Sequence, residues 1–199
     1  MVLILLAAVA VALIFLLLVV LALVRQVDEL DRRLTLVTMA IPGKVGRTGL
    51  RPGSSEPSFE GPTLPGGSFV SSDWSGREHL VLFAHPGCPP CETLFPELVP
   101  ELRTGTLPPT VVISQGLATD HPAAWQEAVG GDDLVVVLQE GTSIARRFET
   151  FVTPHLFVID TQGRVAAQGI ASTLGEANVI VKKARRRSTR RELVGERLS

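Results

Sequence analysis

Met1 to Val24 contain no charged or strongly polar side chain. As a helix rising 1.5 Å per residue this run reaches about 36 Å, beyond the roughly 30 Å hydrocarbon core of a bilayer. Residues 1–24 are therefore read as a single transmembrane anchor. The pattern then changes to RQVDELDRRLTLV, where Val27, Leu30, Leu34 and Val37 recur every three or four residues. That is the period of a helix with one apolar stripe, assigned to residues 25–41. Pro42 ends it, and residues 42–57 hold four glycines and three prolines among small polar residues, the composition of a flexible spacer.

Short apolar runs take over from Ser58. Leu80–Ala84 (LVLFA) suits a strand buried on both faces, and Thr110–Ser114, Leu134–Leu138 and Leu156–Ile159 repeat its pattern. Helical candidates lie between these runs at Pro122–Val129 and Ser143–Phe148. Alternation of this kind implies an α/β domain with a largely parallel central sheet. Thr161–Arg164 (TQGR) reads as a hairpin turn into Val165–Gln168, adding an antiparallel edge, and Leu174–Arg185 closes the domain as a helix. The organisation is thus a globular domain over residues 58–184 and a basic tail over 185–199.

Composition sharpens this division. The 199 residues carry 19 Lys or Arg and 20 Asp or Glu, a net charge of −1. Eight of the basic residues lie in Lys182–Ser199 with only Glu192 and Glu196 against them, so that end carries +6 and the rest −7. The domain therefore offers no broad basic face for nucleic acid, and the tail is read as a solvated, partly disordered end. No Lys or Arg precedes the apolar start and no small-x-small site follows it, which favours an uncleaved anchor over a signal peptide.

The chain has two cysteines, Cys88 and Cys91, which excludes a multi-disulfide scaffold and a four-thiolate zinc site within one chain. They stand in HPGCPPCETLFPEL, directly after a buried strand and at the start of a helix. There, unpaired backbone N–H groups and the helix dipole favour a thiolate. Cys88 is the candidate nucleophile, and Cys91, one turn deeper, the resolving thiol. As a permanent staple, a four-residue loop gains only about 2 kcal/mol, less than the roughly 3 kcal/mol of a fifteen-residue loop. His85 and His155 flank the pair; each is read first as an ordinary surface histidine and, as the alternative, as a candidate to stabilise the thiolate or shuttle a proton. Asp160 serves the hairpin turn, and Trp74 and Trp125 read as core or rim. A peroxidase pattern P-x-x-x-[ST]-x-x-C starting at Pro86 fails, because Pro90 and Thr93 occupy the positions that need Ser or Thr and Cys.

At these residues the chain resembles the thioredoxin superfamily, and within it the membrane-anchored TlpA and ResA type. Pro96, five residues after Cys91, sits where that family has a helix-kinking proline. Thr153-Pro154 sits where it has a cis-proline facing the cysteines. The 63 positions from Cys91 to Pro154 leave room for the extra helix and strand of the TlpA type. VRQ at Val24–Gln26 and Pro86-Gly87-Cys88-Pro89-Pro90-Cys91 are similar to the methylamine-utilisation MauD family. The resemblance implies a thioredoxin-like fold with a central mixed sheet flanked by helices, preceded by one transmembrane helix. It implies thiol-disulfide exchange at Cys88 and Cys91, Pro89 and Pro90 in the active-site loop, and Thr153 and Pro154 docking substrate. The implied partners are protein thiols and disulfides and an upstream electron donor, with no cofactor and no metal. In the MauD family the exchange accompanies maturation of a disulfide-rich enzyme subunit.

Two departures bear on proton transfer. Leu82 stands where thioredoxin has a buried Asp, and Leu94 where the ResA type has an acid, which leaves Glu92 or a water for Cys91. Gly87 replaces a common tryptophan and opens the rim of the site. The competing reading is a dithiol that holds copper, though Met1 and Met39 are the only methionines. A redox-inactive module does not explain two cysteines at this spacing. For orientation, Arg25, Arg32 and Arg33 after the anchor favour a cytoplasmic domain by the charge rule. The resemblance implies the extracytoplasmic face, and that placement is adopted as the expectation.

Overall fold

The computed structural model describes residues 48–129 and 131–196, together with residues 6, 16, 17 and 19. The chain divides into two units, Met1–Arg47 and Thr48–Ser199. In the first, the four described residues are helical and exposed. Among the described residues no helix is long and apolar enough to cross a membrane. The anchor expected over 1–24 (those four residues apart), the helix over 25–41 and residues 42–47 of the spacer lie outside them.

The second unit is a seven-stranded mixed sheet. Its strands are β1 (Glu60–Leu64), β2 (Ser68–Val70), β3 (His79–Phe83), β4 (Thr110–Gln115), β5 (Leu134–Gln139), β6 (His155–Ile159) and β7 (Val165–Ile170). Four helices join them: α1 (Pro89–Arg103), α2 (Ala123–Ala128), α3 (Ser143–Arg147) and α4 (Leu174–Glu196). The spatial order is β2-β1-β5-β4-β3-β6-β7. Strands β3, β4 and β5 run parallel, whereas β6 is antiparallel to β3 and β7 to β6.

Strand alternation sorts the core into two layers. Leu80 and Leu82 of β3, Val112 of β4, and Leu156 and Val158 of β6 join Cys91, Leu94, Leu98 and Leu102 of α1 and Ala177, Val181 and Ala184 of α4. The intervening residues Val81, Phe83, Val111, Ile113, Phe157 and Ile159 face a second cluster around Phe148. Phe148 meets Phe83 and Phe157 edge-on, each at 5.2 Å between ring centroids. At the β6–β7 turn, Asp160 Oδ1 accepts from the N–H of Gln162 at 3.0 Å and of Arg164 at 2.9 Å, the turn role expected for it.

Four of the six strand pairings are antiparallel, where a largely parallel sheet was expected, and three further features differ. Residues 48–57 are not a free spacer: Gly49 and Leu50 donate to the carbonyls of Glu149 and Phe148 at 2.8 and 3.1 Å. Gly53 and Glu56 donate to Val165 and Gly163, at 2.7 and 2.8 Å. Composition shows the glycines and prolines but not these backbone partners a hundred residues away. Secondly, β1 and β2 form an unforeseen hairpin, because short strands with half-exposed positions lack a periodic signal. Finally, α4 continues past Arg185 to Glu196. Its basic stretch has no proline, Lys and Arg are good helix formers, and Arg187 Nη1 ties back to the Ala166 carbonyl at 3.4 Å.

Gly49 tests the packing of the segment read as spacer. Its φ is +92°, and a Cβ there stands 2.7 Å from the buried His155 ring at Cε1. Gly49→Ala is expected to destabilise the protein by about 1–3 kcal/mol in urea unfolding. A change within about 0.5 kcal/mol, ordinary for a free surface site, would show that this segment does not hold the fold.

Candidate active site

The central strand β3 delivers the chain to the site. Beyond Phe83, Ala84 is buried and its N–H donates to the Ile113 carbonyl at 3.1 Å, so the chain stays tied to β4 for one more residue. Gly87 then takes a φ of +78° with open space around the missing Cβ. This backbone conformation disfavours a side chain, a local reason for glycine at the position. Cys88 follows as the N-cap of α1, with Pro89 and Pro90 as its first helical residues. Proline suits that place, since its absent N–H is one a helix start leaves unpaired. The Cys91 and Glu92 N–H groups both donate to the Cys88 carbonyl, at 2.9 and 3.0 Å.

Cys88 and Cys91 are joined as a disulfide with Cα atoms 5.2 Å apart. Cys88 retains 7% exposure and Cys91 1%. Cys91 is the deeper of the two, as expected, and Cys88 is itself largely enclosed. Thr153 lies against it, with its carbonyl oxygen 3.8 Å and its hydroxyl oxygen 3.6 Å from Cys88 Sγ. These two oxygens suit the two protonation states of reduced Cys88: a thiol donates to the carbonyl, and a thiolate accepts from the hydroxyl. The Thr153–Pro154 peptide is cis, and the Pro154 carbonyl accepts from Ala171 N–H at 3.3 Å.

Residues 52–168 match the AhpC/TSA family. The chain belongs to that family. Among curated proteins it is similar to the methylamine utilization protein MauD of Paracoccus versutus, 28% identical over 155 residues covering 78% of this chain and 75% of that protein. The MauD protein of Paracoccus denitrificans is 27% identical over 78% of this chain and 74% of its own. A thiol:disulfide interchange protein of the thioredoxin family from Chlorobium tepidum superposes with a TM-score of 0.55 at 26% identity, covering 68% of this chain and 97% of that one. The thioredoxin domain of a Bacteroides vulgatus thiol-disulfide oxidoreductase gives 0.56 at 23% identity, over 67% and 97%. With its cysteine pair at the head of α1, this AhpC/TSA family member is a thioredoxin-fold thiol-disulfide oxidoreductase. In the family frame, Pro90 and Thr93 still occupy the positions at which the peroxidase pattern needs Ser or Thr and Cys, and Thr93 Oγ1 donates to the Pro89 carbonyl at 3.2 Å.

The polar residues around the pair have other partners. Glu92 accepts the Gly87 N–H at 3.0 Å, so its carboxylate braces the loop rather than serving Cys91. Cys91 sits in an apolar cluster with Leu82 and Leu94, both 1% exposed. His85 Nδ1 lies 2.6 Å from the Pro86 carbonyl. His155 is fully buried, with Nδ1 2.6 Å from Thr150 Oγ1 and Nε2 2.6 Å from Gln168 Oε1. Both ring nitrogens are thus committed away from Cys88, which corrects the expectation of a thiolate partner or proton shuttle. Trp125 stacks on Phe95 of α1 at 4.1 Å and Trp74 is 6% exposed, so both are core residues. No group of three His, Cys, Asp or Glu side chains converges to hold a metal among the described residues.

Sequence reasoning missed the bracing role of Glu92 and the pair Thr150 and Gln168. A residue that folds back onto a helix start is usually signalled by Ser, Thr, Asp or Asn at the cap, and a cysteine cap gives no such signal.

His155 produces a pH dependence of stability. Burial lowers its pKa from 6.5, opposed by the Gln168 hydrogen bond. Between its lowered folded value and 6.5, the unfolded chain binds more protons. Its contribution is therefore complete above pH 6.5 and lost as pH falls through the folded value. Urea unfolding from about pH 7.5 to about pH 5 is expected to show falling stability, with a shallower slope in His155→Gln. An equal slope in the variant would assign the effect to other groups.

Proposed function

We propose that this oxidoreductase is membrane-tethered and reduces or isomerises protein disulfides through the Cys88/Cys91 couple, taking electrons from an upstream dithiol. The carrying observation is the disulfide at the head of α1, with its outer sulfur against Thr153 and the inner one under apolar cover. In the reduced state, the Cys88 thiolate attacks one sulfur of a substrate disulfide. That S–S bond breaks, the other substrate sulfur leaves as a thiolate and takes a proton, and a mixed disulfide forms. Deprotonated Cys91 then attacks Cys88 Sγ, which frees the second substrate thiol. Two electrons pass to the substrate, and the enzyme is left in the disulfide form.

The donors at Cys88 support exchange in the reducing direction. Pro89 and Pro90 supply no N–H, and in the disulfide form the N–H groups of Cys91 and Glu92 point at the Cys88 carbonyl. A thiolate at Cys88 is left with the helix dipole and the Thr153 hydroxyl. Strong oxidants depend on an extremely stabilised thiolate, with a pKa of about 3.5, which this set of donors does not supply. Equilibration with glutathione is therefore expected to give a reducing potential nearer to thioredoxin, at about −270 mV, than to an oxidant at about −120 mV. A value near the latter would overturn the reductase reading in favour of disulfide donation.

The tether rests on the apolar run over 1–24, and the placement of the domain outside the cytoplasm on the likeness to the MauD family. A reporter active only outside the cytoplasm, fused after Thr38, is expected to be active and to stay with membranes after alkaline washing. An inactive or freely released fusion would overturn the orientation or the tether respectively.

A further inference from the structure

We propose that Phe151 is a specificity-determining residue that docks apolar side chains flanking the substrate's disulfide. It directs the enzyme to polypeptide disulfides in apolar sequence context rather than to small polar ones. The inference rests on the exchange reading of Cys88 and Cys91 and deepens it.

Phe151 is 78% exposed, more than any other large apolar side chain among the described residues. It belongs to the short segment that carries Thr153 to Cys88. Phe151 and Thr153 are two positions apart along the chain, at most about 7 Å between Cα atoms. A substrate sulfur bonded to Cys88 Sγ therefore brings its flanking residues within reach of the phenyl ring. The segment is held at both ends. Thr150 is 1% exposed, donates its N–H to the Ala145 carbonyl at 3.0 Å, and bonds His155 through its hydroxyl. Pro154 is held by Ala171, and His155 by Gln168. The ring is thus offered on an ordered backbone, and docking onto it costs little ordering of the loop.

The surroundings favour an apolar occupant. Ile170, 54% exposed, pairs with His155 across β6 and β7 and immediately precedes the Ala171 that holds Pro154. Ile170 lies across the sheet from His155 and Phe151 three positions before Pro154, so the backbone on either side of Thr153-Pro154 carries an exposed apolar side chain. On the helix side of Cys88, Gly87 has no side chain and Pro89 and Pro90 are exposed. Covering part of a phenyl ring of this exposure is worth about tenfold in binding. Glutathione disulfide, charged and without apolar flanks, gains nothing from it.

The test uses the prereduced full chain and single-turnover rate constants for three oxidants: a peptide disulfide flanked by Leu and Phe, the same peptide flanked by Ser and Asp, and glutathione disulfide. The parent chain is expected to prefer the apolar peptide. Phe151→Ser is expected to lower that rate about tenfold while changing the rate with glutathione disulfide and the redox potential little. Phe151→Leu should restore most of the loss. Val179→Ser, at an apolar residue 64% exposed on α4, should change none of the rates. An equal loss on all three oxidants would show that Phe151 only shapes the loop, and no loss on the apolar peptide would show that it does not dock substrate; either overturns the proposal. A parent chain inert toward all three oxidants would overturn the exchange reading itself, and this inference with it.

Discussion

The rest of the structure depends on the double-sided burial of β3. All five residues of the strand are buried, with alternate side chains entering the two core layers. Its neighbours are β4 in parallel and β6 antiparallel, in a register that sets Phe83 against both Ile113 and His155. Because β6 runs the opposite way, its start lies beside the end of β3. That register brings the loop ending at Cys88 to the loop ending at Pro154, 66 positions further along the chain. A slip of one residue would exchange the faces of Leu82 and Phe83 and break both layers. Core packing therefore holds the reactive sulfur opposite Thr153.

The chemistry at that junction is tuned more by apolar groups and backbone than by charge. Leu82 and Leu94 replace the acids that the resembling families place near the inner thiol, and Glu92 is drawn to the Gly87 N–H. The acids of those families are thus absent beside Cys91, and the nearest carboxylate in sequence is engaged by the loop. Two prolines at the head of α1 cost the helix no hydrogen bonds, yet they remove two donors from the neighbourhood of Cys88. Thr153 supplies one donor in their place, together with a carbonyl acceptor for the thiol.

The two ends of the domain show how composition misleads when partners are distant. Residues 48–57 have the glycine and proline content of a spacer, but their N–H groups find carbonyls on the segment before β6 and on the β6–β7 hairpin. His79 and Glu56, 3.0 Å apart, add a side-chain link. The basic run after Arg185 has the charge density of a disordered end, but α4 carries through it as helix. In the first case backbone pairing decides, and composition does not encode it. In the second, uninterrupted helix propensity continues an element already anchored through Ala177, Val181 and Ala184.

The amino-acid sequence by itself determined the elements whose signals are local. Five apolar strand cores, the CPPC pair ahead of a helix, the hairpin turn at Asp160 and the class of chemistry are all legible within windows of a few residues, because side-chain period and cysteine spacing are local properties. Tertiary structure alone decided what depends on residues far apart in the chain. The hairpin of β1 and β2 pairs through β1 with a strand some seventy residues later. His155, a catalytic candidate by position, became a buried brace once Thr150 and Gln168 closed on its two nitrogens. Cys88, at the head of a helix, is buried with Thr153, from the segment leading into β6, against its sulfur. Each of these outcomes rests on which backbone and side-chain groups meet across the sheet, and that is set by register and burial rather than by any local pattern.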